Sequence, residues 1–276
     1  MEFVFRRSYR GPLKAVILDW AGTTVDYGSR APAMIFVEVF KQRGVTITFE
    51  EAREPMGMAK KDHIRKITQM KSVAQRWQDS HGQLPSEADV EAMYEEFIPL
   101  QLEALADYTD LIPGTRAAIS DFQRRGLKIG SNTGYNREMT NILLAEARIQ
   151  GYEPDSTVCA SEVPAGRPEP WMALKNAMEM RVYPMEAIVK IDDTVPGIEE
   201  GLNARMWTIG LVQTGNEIGL SEAEIKALAP EILQTRLEQG YQRLSHAGAH
   251  YVIDGIWEAP RILDEISNRL NYGERP

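Results

Sequence analysis

An acidic residue follows a short apolar run in the segment Leu18-Asp19-Trp20-Ala21-Gly22-Thr23-Thr24-Val25-Asp26. Taken alone, Asp19 also reads as a carboxylate capping a strand-to-loop turn. Three further segments bring complementary groups. Ile129-Gly130-Ser131-Asn132-Thr133-Gly134 ends an apolar run in hydroxyl, amide and glycine groups suited to an oxyanion. Gly166-Arg167-Pro168 places a guanidinium just before a helical pattern, and Val189-Lys190-Ile191-Asp192-Asp193-Thr194 closes another apolar run with two carboxylates. Acids, oxyanion donors and a fixed cation together suit a small anionic substrate. Elsewhere, Lys60 and His63 stand three apart in Pro55-Met56-Gly57-Met58-Ala59-Lys60-Lys61-Asp62-His63, and therefore on one face of a helix. A bare Lys-x-x-His also describes a solvated basic face.

These residues need a scaffold that brings strand ends together. Apolar runs at Ala15–Leu18, Leu127–Gly130, Ala187–Ile191, Trp207–Val212 and His250–Ile253 read as buried strands, with helical patterns between most of them. That alternation predicts a doubly wound parallel α/β sheet, which binds ligands at the carboxyl ends of its strands. Pro113-Gly114 opens one helix and Gly126 ends it, while Ser221 and Glu224 form a capping box for another. From about Ser29 to Asp107 the pattern is helical throughout. Capping boxes at Thr48/Glu51 and Ser86/Asp89 start helices there, and Pro99 is expected to kink the helix carrying Met93, Phe97 and Leu100. The block is too long for a crossover. The expected organisation is an α/β core from residues 1–28 and 107–276 with an all-helical domain, 29–106, inserted after the first strand.

A chain of 276 residues can bury one sizeable core and a smaller accessory domain. Its net charge of −9 argues against a nucleic-acid partner, which would demand a basic surface. A pocket of local positive charge can still receive a small anion. The Arg6, Arg7, Arg10 cluster reads as a solvated tail. Cys159 is the only cysteine, so no intrachain disulfide forms, and its apolar neighbours predict a core position. No stretch reads as a signal peptide or membrane span, so the expectation is a cytoplasmic enzyme. His81, His246 and His250 lack metal-ligand spacing and read as structural or exposed.

The four chemistry-bearing segments resemble, in order and in element type, the motifs of the haloacid dehalogenase superfamily, and the helical block resembles that family's cap domain. The resemblance implies that Asp19 is the nucleophile that takes a phosphoryl group. It also implies that Thr133 and the backbone N–H of Gly134 bind phosphoryl oxygens and that Arg167 offsets charge. Mg²⁺ is expected on Asp19, the Ala21 backbone carbonyl and Asp193, with Asp192 as the alternative acid. Phosphatases of this superfamily usually carry an acid two residues after the nucleophile to protonate the leaving alcohol. Here that residue is Ala21, which disfavours ordinary phosphate-ester hydrolysis. Some members also place an acid several residues beyond the metal-binding Asp. Here Pro196-Gly197-Ile198 follows Thr194, and the Asp192-Asp193 pair is expected to substitute.

The segments Asp19–Gly28, Pro55–His63, Thr133-Gly134-Tyr135 and Val163–Pro168 closely resemble the phosphonatase family of that superfamily. The resemblance implies cleavage of the C–P bond of phosphonoacetaldehyde, giving acetaldehyde and phosphate, in 2-aminoethylphosphonate degradation. It makes Lys60 the Schiff-base lysine. Breaking the C–P bond alone would expel a carbanion, whereas an iminium at the neighbouring carbon accepts the electrons and leaves an enamine. Lysine forms an imine only as the free amine, so burial or a nearby cation must lower its pKa, with Lys61, Arg65 and a closed cap as the unranked candidates. His63 is the candidate proton shuttle, and Met56 and Tyr135 are expected to line the pocket. Ser29 stands where some relatives have Cys. A homodimer joined through the cap is a further implication. A dehalogenase would need neither Mg²⁺ nor Lys60, a sugar-phosphate phosphatase or mutase is disfavoured by Ala21, and the intact motifs argue against a non-catalytic binding protein.

Overall fold

The computed structural model describes residues 8–276; Arg6 and Arg7 lie outside the described residues, and Arg10 is exposed. Strand β1 (Ala15–Leu18) is followed by five helices: α1 (Arg30–Gln42), α2 (Phe49–Arg53), α3 (Lys60–Thr68), α4 (Lys71–His81) and α5 (Glu87–Leu105). Then come α6 (Thr115–Arg124), β2 (Lys128–Thr133), α7 (Arg137–Ile149), β3 (Ser156–Cys159), α8 (Trp171–Glu179), β4 (Ile188–Asp192) and α9 (Val195–Asn203). The chain continues with β5 (Trp207–Leu211), α10 (Glu222–Ala227), α11 (Pro230–His246), β6 (Tyr251–Ile253) and α12 (Ala259–Asn271).

The six strands form one parallel sheet in the order β3-β2-β1-β4-β5-β6. Strand order reverses between β1 and β4, and a doubly wound sheet opens its ligand crevice at such a point. The neighbours across that crevice are Asp19, following β1, and Asp192, ending β4. Both strands are buried along their whole length, as their apolar runs require of a sheet covered on both faces.

Two strands differ from the sequence expectation. β2 extends through Ser131, Asn132 and Thr133, because these polar residues pair with β3 and are buried. The edge strand β3 was not among the expected strands: four residues that begin Ser-Thr give too short an apolar run. Cys159 is buried in it.

Helices α1–α5 between β1 and α6 form the all-helical cap. Its core is formed by Phe36, Phe40, Ile64, Trp77, Met93 and Phe97. The capping boxes at Thr48/Glu51, Ser86/Asp89 and Ser221/Glu224 are all made. α5 runs on past Pro99 to Leu105. Gly114, with φ of 89°, is the N-cap of α6, and Pro113 stands just before it. The passage into the cap is a tight bend in which Asp26, Gly28 and Ser29 all have positive φ. The Asp26 carboxylate holds this bend by accepting from the N–H groups of Arg30 and Ala31, both at 3.0 Å. Among the described residues, no helix is long and apolar enough to cross a membrane.

Candidate active site

Asp19, Asp192 and Asp193 are buried at the carboxyl ends of β1 and β4, each with a carboxylate oxygen within 4.8 Å of the others. Their environments differ. Asp192 accepts from Lys190 Nζ at 2.6 Å, from the Thr194 N–H at 3.0 Å and from Thr194 Oγ1 at 2.7 Å. Burial pushes its carboxyl up, but Arg167 and Lys190 more than offset this and hold it below the usual range. Asp193 accepts from Thr23 Oγ1 at 3.1 Å and from the Asn216 N–H at 2.8 Å, and none of the ion pairs among the described residues includes it. Burial, then Asp19 and Asp192, push its pKa well above the usual range. A buried carboxylate repelled by two others and lacking a cation is a donor set that suits a hard divalent ion. The Asp19–Asp193 side of the triad is the more open to a divalent ion, since Asp192 already accepts from Lys190 and Thr194.

Arg167 organises the other side of Asp19. Its Nη2 donates to Asp19 Oδ1 at 2.7 Å and to the Asn132 carbonyl and Oδ1 at 3.1 and 2.6 Å, while Nε donates to Glu200 at 3.0 Å. Glu200 in turn accepts from Asn132 Nδ2 at 3.0 Å and the Ala173 N–H at 3.1 Å. Lys190 Nζ reaches Asn132 Oδ1 at 2.9 Å. Burial of this guanidinium would disfavour its charge, yet Asp19, Asp192 and Glu200 raise its pKa. Burial likewise raises the Asp19 carboxyl, with Arg167 pulling against it. Lys190 and Glu200 escaped the sequence analysis. Lys190 fell inside a run already read as a buried strand, but its pairing with Glu200 across β4 and α9 shows only in the fold.

The cap supplies the roof. Lys60, the first residue of α3, is buried with Nζ 4.6 Å from the centroid of the Tyr135 ring. Burial lowers its pKa to about 8; Asp19 opposes that shift and Arg167 adds to it. The expected contributions of Lys61 and Arg65 are corrected: Lys61 pairs with Glu91, and Arg65 pairs with Asp62 and Glu87 at the surface. Their charges are neutralised away from the cavity.

His63 is fully buried, stacked on Phe36 with ring centroids 3.8 Å apart. Its Nε2 lies 2.8 Å from the Ala52 carbonyl. A carbonyl only accepts, so Nε2 carries the hydrogen and Nδ1 is the free acceptor, buried without a partner. Burial and Lys60 push the imidazole pKa well below its ordinary value.

Asp19, Ala21, Ser29, Met56, Lys60, Thr133, Gly134, Arg167 and Thr194 enclose one cavity with about 20 Å³ of free volume. That is room for about one water molecule. Tyr135 lies against Lys60 and Asp193 beside Asp19, whereas His63 is not among the residues that line the cavity. Its walls close through backbone contact. An added Cβ at Gly134 would overlap the Met58 carbonyl, and one at Gly57 would overlap Thr194. Ala21 adds no carboxyl, and among the described residues Asp19 is the acid that lines the cavity.

The sequence profile of the haloacid dehalogenase-like hydrolases matches residues 13–205. A phosphonoacetaldehyde hydrolase from Syntrophobacter fumaroxidans is 48% identical over 274 residues, covering 99% of each chain. Another from Hahella chejuensis is 45% identical over all of this chain and 94% of its own. The crystal structure of a phosphonoacetaldehyde hydrolase-like protein from Oleispira antarctica superposes with a TM-score of 0.96 at 43% identity, with both chains fully covered. The chain is a hydrolase that belongs to the phosphonoacetaldehyde hydrolase family, within the haloacid dehalogenase-like hydrolases.

Proposed function

We propose that the protein hydrolyses the C–P bond of phosphonoacetaldehyde to acetaldehyde and phosphate, consuming the aldehyde formed in 2-aminoethylphosphonate degradation. The observation that carries this is the position of Lys60. Its amine, with a pKa lowered to about 8, closes the chamber that Asp19 and Arg167 line. Phosphate-ester hydrolysis needs no imine-forming amine there.

Lys60 Nζ adds to the aldehyde carbon, and loss of water gives an iminium. His63 is the proposed proton shuttle, acting through Nδ1 because Nε2 is committed to Ala52; its lowered pKa makes it a carrier that gives the proton up readily. Asp19 then attacks phosphorus in line with the C–P bond. The electrons of that bond pass into the iminium, leaving an enamine on Lys60 and an aspartyl phosphate on Asp19. Protonation of the enamine at carbon restores an iminium, whose hydrolysis releases acetaldehyde and frees Lys60. Water cleaves the acyl phosphate and regenerates the carboxylate. Thr133 and the Gly134 N–H hold the phosphoryl oxygens, while Arg167 offsets their charge and fixes Asp19. Met56 and Tyr135 exclude water around the imine. Mg²⁺, held by Asp19, the Ala21 carbonyl and Asp193, would neutralise charge between carboxylate and phosphorus. The leaving carbon takes no proton as the bond breaks, so Ala21 costs this reaction nothing.

The test is chemical trapping. Borohydride added with substrate should fix a label on Lys60, and phosphate release should require Mg²⁺ and stop with EDTA. Label on Lys61 instead, or turnover surviving Lys60→Ala, would overturn the reading. We also propose a cytoplasmic homodimer joined through the cap, for which light scattering at the mass of two chains is the check.

A further inference from the structure

We infer that Arg53 and Asn216 form a latch through which cap closure sets the metal-binding carboxylate of Asp193. The inference rests on the metal site proposed above.

Arg53 ends α2 in the cap, and its side chain crosses into the core. Nη1 donates to the Gly28 carbonyl at 2.9 Å and to Asn216 Oδ1 at 3.2 Å, and Nη2 donates to the Gly219 carbonyl at 3.1 Å. The return contact runs from Asn216 Nδ2 to the Arg53 carbonyl at 3.2 Å. One guanidinium therefore ties together the bend by which the chain enters the cap and the core loop after β5. Gly219 has φ of 67°, and a Cβ there would lie 2.6 Å from Arg53 Cζ, so the loop leaves space for this side chain. The same Asn216 that clasps Arg53 donates its backbone N–H to Asp193 Oδ2 at 2.8 Å. Among the described residues, Asp193 has only Thr23 and Asn216 as hydrogen-bond donors. Moving α2 away with an opening cap removes the support of the 216–219 loop, and with it one of the two bonds that orient the carboxylate. Arg53 is not among the residues that line the cavity. It is a positioning residue, and it makes full assembly of the metal site conditional on a closed cap.

The probe is Mn²⁺ binding to the purified full chain without substrate, read by electron paramagnetic resonance. Arg53→Ala and Asn216→Ala should each raise the Mn²⁺ dissociation constant roughly tenfold, the usual consequence of losing a group that orients a metal ligand. The double variant should be little worse than either single one, because both break one chain of contacts. Arg53→Lys should recover little, since an ammonium cannot span carbonyls on two segments. The control is Arg243→Ala, which breaks the neighbouring cap–core ion pair with Glu54 and a weaker one with Glu217 but leaves the Asn216–Asp193 bond. Unchanged Mn²⁺ affinity in a folded Arg53 or Asn216 variant overturns the latch. Equal weakening by Arg243→Ala also overturns it, because any loosening of the cap would then suffice. If the unmodified protein binds no Mn²⁺, the metal assignment falls and the latch falls with it.

Discussion

Lys60 is buried at a net cost. Its amine has a pKa of about 8 in the folded protein against 10.5 as its ordinary value, with burial as the chief cause. Two outcomes follow at this scale. The free amine grows as pH rises through 8, so borohydride trapping should climb from pH 6 to about pH 8.5 and then level; a flat profile would place the reactive lysine elsewhere. Stability carries the same shift. Below pH 8 both folded and unfolded chains hold the proton, and the folded state bears the whole penalty of the buried charge. Between 8 and 10.5 the unfolded chain binds more protons, so stability rises with pH. Lys60→Met should therefore stabilise the protein at pH 7 by on the order of 2 kcal/mol, with the gain shrinking towards pH 10. Denaturant melts at the two pH values measure it. A residue that stabilises by leaving is one retained for chemistry.

At the level of elements, the chamber depends on how closely one cap segment approaches three strand-end loops. Gly57 packs on Thr194, Gly134 lies under the Met58 carbonyl, and Gly166 would bring a Cβ to 3.1 Å from that of Ala59. Gly134 has no positive φ, so Gly134→Ala tests steric closure without backbone strain. A methyl there should hold the cap ajar and lower kcat/KM roughly a hundredfold, the scale expected for a misplacement of about 1 Å between catalytic groups. Water would then reach Lys60, and the pH midpoint of its trapping should move upward; an unshifted midpoint would mean the cap still closes. The strand-end motifs were legible because polar groups interrupt apolar runs at Asp19, Ser131 and Asp192. β3 was hidden because Ser156 and Thr157 look like a turn until β2 pairs with them. Arg53 was hidden for a different reason. An arginine at the end of a short helix is an ordinary surface residue until the core loop folds over it.

Across the whole molecule, the sheet order forces three acids together. With β1 beside β4, Asp19 must face Asp192 and Asp193, and no local pattern in either segment reports that proximity. The fold meets part of this repulsion with Arg167 and Lys190, both spent on Asp19, Asp192 and Glu200. Gly197 shows how far the rearrangement reaches: a Cβ there would overlap the Asp192 carboxylate, which fills the space an acid at position 197 would need. Lys190 and Thr194 hold the oxygens of that carboxylate. Asp193 is left as the uncompensated charge, and its removal and its neutralisation should act alike. Mg²⁺ at about a hundred times its dissociation constant should stabilise the protein by about 2.7 kcal/mol. Asp193→Asn should raise the melting temperature of the metal-free protein, because an amide keeps the hydrogen-bonding shape without the buried charge. It should also abolish the Mg²⁺-induced rise and the turnover together. Calorimetry with and without EDTA separates the cases. A variant that melted lower than the unmodified chain in EDTA would show that Arg53, Lys190 and Arg167 already balance Asp193, and that the fold does not need an ion there.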